Sequence, residues 1–279
     1  MRKKVIFQVI LVLLFSGCVQ TQPLISPSAT FVELSPTPTT APSATPTSIP
    51  PTATPEPIDK ICSPLQNILL EEIPSILTQP FSMPRLRNDD GHQGIDLAFF
   101  RFKDIVGIEG LQINAVMSGK IAFILPDHYP YGNVVVQEIP LEKLSPRIQE
   151  ILAIPNPIPT VQPDPRMASC PIEGELPFSI NLESRSLYIL YGHLKTAPIV
   201  LPGDLVSCGQ PLGEVGNTGK STNPHLHLEL RVGPSGARFD SMAFYTTSST
   251  SQERYNYCVW RVSQLFQLID PTKLLSIQP

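Results

Sequence analysis

Charged side chains are scarce: they make up 16% of the 279 residues, with 20 Lys and Arg against 24 Asp and Glu, for a net charge of −4. Arg2, Lys3 and Lys4 stand together at the N-terminus, and without them 17 positive side chains face 24 negative ones. No basic tract is left to neutralise phosphates, which excludes nucleic acid as a partner. Long apolar runs are missing too. The N-terminal run, residues 5–15, is broken by Gln8 and falls short of the roughly 20 apolar residues that span a bilayer. No stretch recurs with a period of roughly 20 to 50 residues, which excludes a solenoid or propeller. No Cys-x-x-Cys pair occurs, which speaks against a cysteine-built metal site. Helical signals are confined to residues 65–77, 141–152 and 259–268.

Proline is abundant instead, at 32 residues, about twice the usual share of roughly 5%. The basic N-terminus, the short apolar run and Ser16-Gly17-Cys18 read as an export signal. The small residues before Cys18 resemble the lipobox of bacterial lipoproteins, which implies acylation of Cys18 and a membrane anchor through it. An ordinary secretory signal with an incidental Cys is the alternative, and either way the chain leaves the cytoplasm. Residues 19–60 hold 10 Pro, 9 Thr and 5 Ser, a composition that builds neither helix nor sheet. At about 3.1 Å per residue, such a linker reaches on the order of 100 Å from an anchor.

After a lead-in at 61–85, the folded part is expected over 86–279. Residues 113–125, 132–139, 186–194 and 223–232 are short β-branched or aromatic runs punctuated by Gly and Pro, so the fold class is mainly β and antiparallel. Cys62, Cys170, Cys208 and Cys258 allow two disulfides in three pairings. Proline-rich residues 140–181 and residues 233–267 look like insertions beside the strands, and both are placed to narrow a substrate groove or to cover it.

Five histidines carry the chemical signal: His92, His128, His193, His225 and His227. In a strand, His92, Gly94, Asp96 and Ala98 share one face, and the small residues leave room beside two ligand-type side chains. His225 and His227 share a face in the same way, with Leu226, Leu228 and Leu230 opposite. His193 follows Tyr191-Gly192 at a strand end, and His128 sits between Asp127 and Tyr129 in a loop. Two His and one carboxylate are a three-ligand set for catalytic zinc with one open position. Two further His nearby can move protons for a hydrolysis.

These motifs, in this order, resemble the lysostaphin/LytM-type zinc metallopeptidases that cut peptidoglycan. Flanking segments are similar as well: Ala115-Val-Met-Ser-Gly-Lys-Ile, Tyr131-Gly-Asn-Val-Val-Val, Pro202-Gly-Asp-Leu-Val-Ser-Cys-Gly-Gln-Pro-Leu-Gly and Ile269-Asp-Pro-Thr-Lys-Leu. The resemblance covers about residues 91–275 apart from the two insertions. It implies Zn²⁺ held by His92, Asp96 and His227, with His193 and His225 as the catalytic pair. It also implies a distorted antiparallel β-sandwich with an open groove, short helices in the insertions, and Tyr131 near that groove. The implied activity is an endopeptidase for peptidoglycan cross-links or stem peptides. Some relatives lack ligands and only activate other wall hydrolases, so a silent wall-binding module is the alternative; this chain has the full set.

Two features depart from or imitate other patterns. Family members often carry a Phe-Gly-x-Arg turn before the first ligand, where this chain has Phe81-Ser-Met-Pro-Arg-Leu-Arg-Asn-Asp-Asp-Gly. Residues 216–221, Gly-Asn-Thr-Gly-Lys-Ser, imitate a phosphate-binding loop, but Glu214 stands where that loop needs its first Gly and Pro224 follows where a helix should. The glycines there are better suited to a turn that delivers His225 and His227.

Overall fold

β-Branched runs bounded by turn residues form the strands, and their alternation decides which side chains go to which face. The computed structural model describes residues 57–86, 88–157, 170, 174–176, 178–181 and 183–277. The export signal, Cys18, linker residues 19–56 and insertion residues 158–169 lie outside the described residues. The strands are β1 (Leu77–Gln79), β2 (Ile95–Leu97), β3 (Arg101–Phe102), β4 (Ile105–Val106), β5 (Gln112–Asn114), β6 (Gly119–His128), β7 (Gly132–Pro140), β8 (Arg185–Leu194), β9 (Leu205–Val206), β10 (Pro211–Glu214), β11 (Leu226–Pro234) and β12 (Gln267–Ile269). Short helices α1 (Ile73–Ile76), α2 (Pro146–Leu152), α3 (Ser251–Arg261) and α4 (Pro271–Leu275) lie between or after them. None of these helices is long and apolar enough to cross a membrane.

The main sheet is antiparallel, in the order β1-β2-β11-β8-β7-β6-β9, with β12 also on β11, and is not closed into a barrel. Two-stranded pairs β5–β10 and β3–β4 complete the mostly β fold. The central strands are buried on both faces. Val135, Ile139, Leu187, Ile189, Leu228 and Leu230 enter an aliphatic core shared with Ile113, Leu212 and helix residues Ile148 and Leu152. Val134, Val136, Tyr188 and Leu190 enter a second core with Phe239, Met242, Phe244, Tyr257, Trp260 and Phe266.

The second insertion, expected to narrow or cover the groove, lines it with Tyr245, Tyr257 and Arg261 and also builds that second core. Residues 233–267 supply the layer that covers one face of the sheet, so this face is closed by loop and helix and not by a second sheet. Thr250 caps α3 through a capping box, accepting from the Glu253 N–H at 3.2 Å while its own N–H donates to Glu253 at 2.8 Å. The helical signal at 259–268 is displaced, because α3 ends at Arg261. The described part of the other insertion also packs inward, since α2 buries Ile148 and Leu152. Residues 57–60, expected at the end of the linker, are already paired: the Ile58 N–H donates to Lys143 O at 2.7 Å. The disulfides are Cys62–Cys208 and Cys170–Cys258. His128, expected in a loop, is the last residue of β6, 3.5 Å from Glu253.

Candidate metal centre

The pairing of β2 with β11 places Asp96 opposite His227. His92 lies before β2 and not inside it: it pairs with Ser82 through an isolated bridge, so the expected strand over 92–98 shortens to three residues. The chain between them still turns His92 towards Asp96. Gly94 makes this possible, because a Cβ there would stand 2.8 Å from the His227 ring and 2.5 Å from Leu228 O.

His92, Asp96 and His227 each offer an atom within 4.8 Å of the others. Asp96 Oδ1 is 2.7 Å from His227 Nδ1 and 3.1 Å from His92 Nε2. The other nitrogen of each imidazole faces a group that only accepts: His92 Nδ1–H donates to Pro80 O at 3.1 Å and His227 Nε2–H to Glu229 at 3.1 Å. In the neutral rings, both remaining lone pairs therefore converge on one carboxylate oxygen. A divalent cation satisfies all three donors without an added proton, so these residues fit a zinc ion. Without it, protons must serve. Burial opposes charge on His227, but hydrogen bonds to Asp96 and Glu229 outweigh burial and raise its pKa to about 9. Burial likewise disfavours the Asp96 carboxylate, yet His227 and His92 hold its pKa well below the carboxylate range.

His193 and His225 stand together on the open side, ring centroids 4.6 Å apart. His193, the last residue but one of β8, has a left-handed backbone conformation, φ +61°, a strained state that surrounding structure must hold. Its N–H donates to Tyr131 O at 2.9 Å and its Nδ1–H to Thr218 O at 2.7 Å. His225 Nδ1–H donates to Asn223 O at 2.7 Å. Both Nε2 atoms are thus free, and that of His225 lies 3.6 Å from Asp96, too far for a hydrogen bond. Burial, reinforced by neighbouring His227 and His225, lowers the His193 pKa to about 3 and keeps the ring neutral. The glycine turn over 216–224 delivers His225 and His227 as anticipated, with the Gly216–His225 bridge closing it.

Around the site runs a buried polar network that the histidine motifs do not reveal. Glu229 is fully buried and accepts from Tyr131 Oη at 2.6 Å, Arg261 at 3.2 Å, Arg231 at 2.8 Å and Trp260 Nε1 at 3.1 Å. Burial resists its charge, but Arg231 leads the groups that hold its pKa well below the usual value. Arg231 also donates to Gln93 at 2.6 Å. Asp89, in the loop before His92, accepts from Tyr245, from Tyr257 at 2.8 Å and from Arg261 at 2.7 Å. That loop and the second insertion are thus fastened to each other. Alternation along β11 would have placed Glu229 and Arg231 on the His227 face; nothing local marks Arg261 or Asp89.

The groove has a volume of about 840 Å³, and its lining includes Tyr131, Asp89 and all four site histidines. From the second insertion it receives Tyr245, Tyr257 and Arg261, and from the described part of the first it receives nothing.

Residues 179–240, which carry His193, His225 and His227, match peptidase family M23. Solved structures are similar at low identity. The catalytic domain of EnpA, a prophage-encoded M23 protein from Enterococcus faecalis, is 23% identical over 58% of this chain and 85% of its own, with a TM-score of 0.32. The catalytic domain of lysostaphin, an antimicrobial peptidase from Staphylococcus simulans, is 18% identical over 72% and 90%, with a TM-score of 0.33. A zinc-containing peptidase from Vibrio cholerae is 20% identical over 66% of this chain, TM-score 0.32, and this chain spans 37% of its length.

Proposed function

We propose that this chain is a zinc-dependent endopeptidase of the peptidoglycan layer, acting on cross-links or stem peptides. The observation that carries the reading is the convergence of His92 Nε2, His227 Nδ1 and an Asp96 oxygen, with the opposite ring nitrogens already bonded to acceptors. Such a donor set suits a metal whose remaining position faces substrate. The M23 match over residues 179–240 supports the same reaction class. Zinc held there supplies a Lewis acid for a peptide carbonyl and for a water molecule.

The chain's own residues supply the rest. His193, neutral and fixed by Thr218, presents Nε2 as a base for a water proton and can return that proton to the leaving amine. His225, fixed by Asn223, presents a second Nε2 lone pair beside it that can take up the same proton and, once protonated, donate to the developing oxyanion. Glu229 keeps the His227 proton on Nε2, so that Nδ1 faces the metal position. Tyr131 is held by Glu229 and Arg261 and forms part of the groove floor.

Export and anchoring through Cys18 belong to the proposal, and the proline linker would carry the domain into the wall. The test is zinc content of the purified chain together with release of fragments from purified peptidoglycan, with and without chelator. One bound zinc and chelator-sensitive release are expected. A zinc-free chain, or wall binding without release, would leave the silent module as the better description.

A further inference from the structure

The groove holds one cation that the proposed chemistry does not use. Lys220 lies on the turn that delivers His225, and that turn is stiff. Gly219 has φ +72°, a Cβ there would run into Pro130 and Gly132, and the Lys220 N–H donates to Pro130 O at 2.7 Å. The Lys220 ammonium stands 5.3 Å from the ring centroid of Tyr245, which comes from the second insertion. Tyr245 is braced in turn. Its φ is +63°, its hydroxyl donates to Asp89, and Phe244 packs edge-on at 4.6 Å.

Charge accounting separates the two groove cations. Arg261 is committed to Asp89, Glu229 and Tyr131. Among the described residues, Lys220 has no carboxylate partner, and a ring face restrains an ammonium without neutralising it. The carboxylates of the groove, Asp89 and Asp96, are both occupied by donors. An unpaired positive charge on a stiff turn, five residues before His225, is a receptor for an anion on the substrate.

We infer that Lys220, set in place by Tyr245, is a specificity-determining residue that receives a carboxylate of the bound peptide. The groove then prefers wall peptides with a free carboxylate near the scissile bond over their carboxamide forms. This deepens the peptidase reading and rests on it.

The test uses the full zinc-loaded chain and two soluble wall peptides of one sequence, one a free carboxylate and one its carboxamide. Binding by calorimetry and cleavage are measured separately. The carboxylate form should bind about fivefold tighter, the size of a good exposed ion pair, with the difference in KM and not kcat. Added salt should shrink it. Lys220→Met should erase the discrimination, Lys220→Glu should reverse it, and Tyr245→Ala should weaken it. Equal affinity of the natural chain for both peptides overturns the inference, as does an equal loss on both in Lys220→Met. Discrimination in binding without cleavage overturns the peptidase reading and keeps this one; cleavage of both peptides with one KM and one kcat does the reverse.

Discussion

Along β11, residues 226, 228, 230 and 232 are Leu, Leu, Leu and Val in the aliphatic core, whereas 227, 229 and 231 are His, Glu and Arg on the other face. One strand thus builds both a packing surface and a reactive one, and the layers covering them differ accordingly. The first face is packed mostly by aliphatic side chains, and its buried polar pair, Tyr191 and Gln137, bond to each other at 3.0 Å. The second is covered by Tyr131, Tyr188, Tyr257 and Trp260, side chains that bury large areas while carrying donors. Two of them, Tyr131 and Trp260, donate directly to Glu229. A buried carboxylate without such partners would be costly, so the aromatic cover lets charge sit behind the candidate metal site.

Substitutions on the two faces should therefore fail in different ways. His193→Ala on the reactive face should keep zinc and lose roughly 10²–10⁴-fold in kcat, the usual worth of a general base, whereas Asp96→Ala should lose zinc itself. Metal content beside kcat separates them, and undiminished activity in both would break the assignment. Arg231→Met should destabilise by roughly 3–5 kcal/mol, because it leaves Glu229 without its closest guanidinium. Ile189→Ala on the aliphatic face should cost about 2–5 kcal/mol yet leave zinc affinity and kcat per folded molecule unchanged. A loss of zinc affinity in that variant would show that the faces are not independent.

The smallest effect concerns pH. The folded state depresses the His193 pKa to about 3, so the unfolded chain takes up this proton near pH 6.5 and the folded chain does not. The contribution is fully present above about pH 6.5 and is lost as pH falls towards 3, at no more than about 1.4 kcal/mol per pH unit. Urea melts of the zinc-free protein between pH 7 and 5 should be flatter for His193→Gln than for the natural chain. Parallel curves would remove His193 from the account.

Much of this was legible in the order of residues, for a physical reason. Alternation has a period of two, so His225-Leu-His227-Leu-Glu-Leu-Arg announces its two faces wherever the strand lies. The mainly β, antiparallel fold followed from such runs. His92 was harder: its side chain meets Asp96 through a bend before a three-residue strand, and not through regular alternation. Tyr257, Arg261 and Asp89 were illegible as a group, since they come together only when a helix more than 160 positions from the loop packs against it. The same long-range packing makes the second insertion a core layer as well as a groove wall.

The Cys170–Cys258 bridge lands on the helix that presents Tyr257 and Arg261 to the groove. Material made in a thiol-reducing host and material made in an oxidising one will therefore differ in how that wall is braced. Assays of the two preparations compare distinct covalent species, and a thiol titration belongs beside every rate.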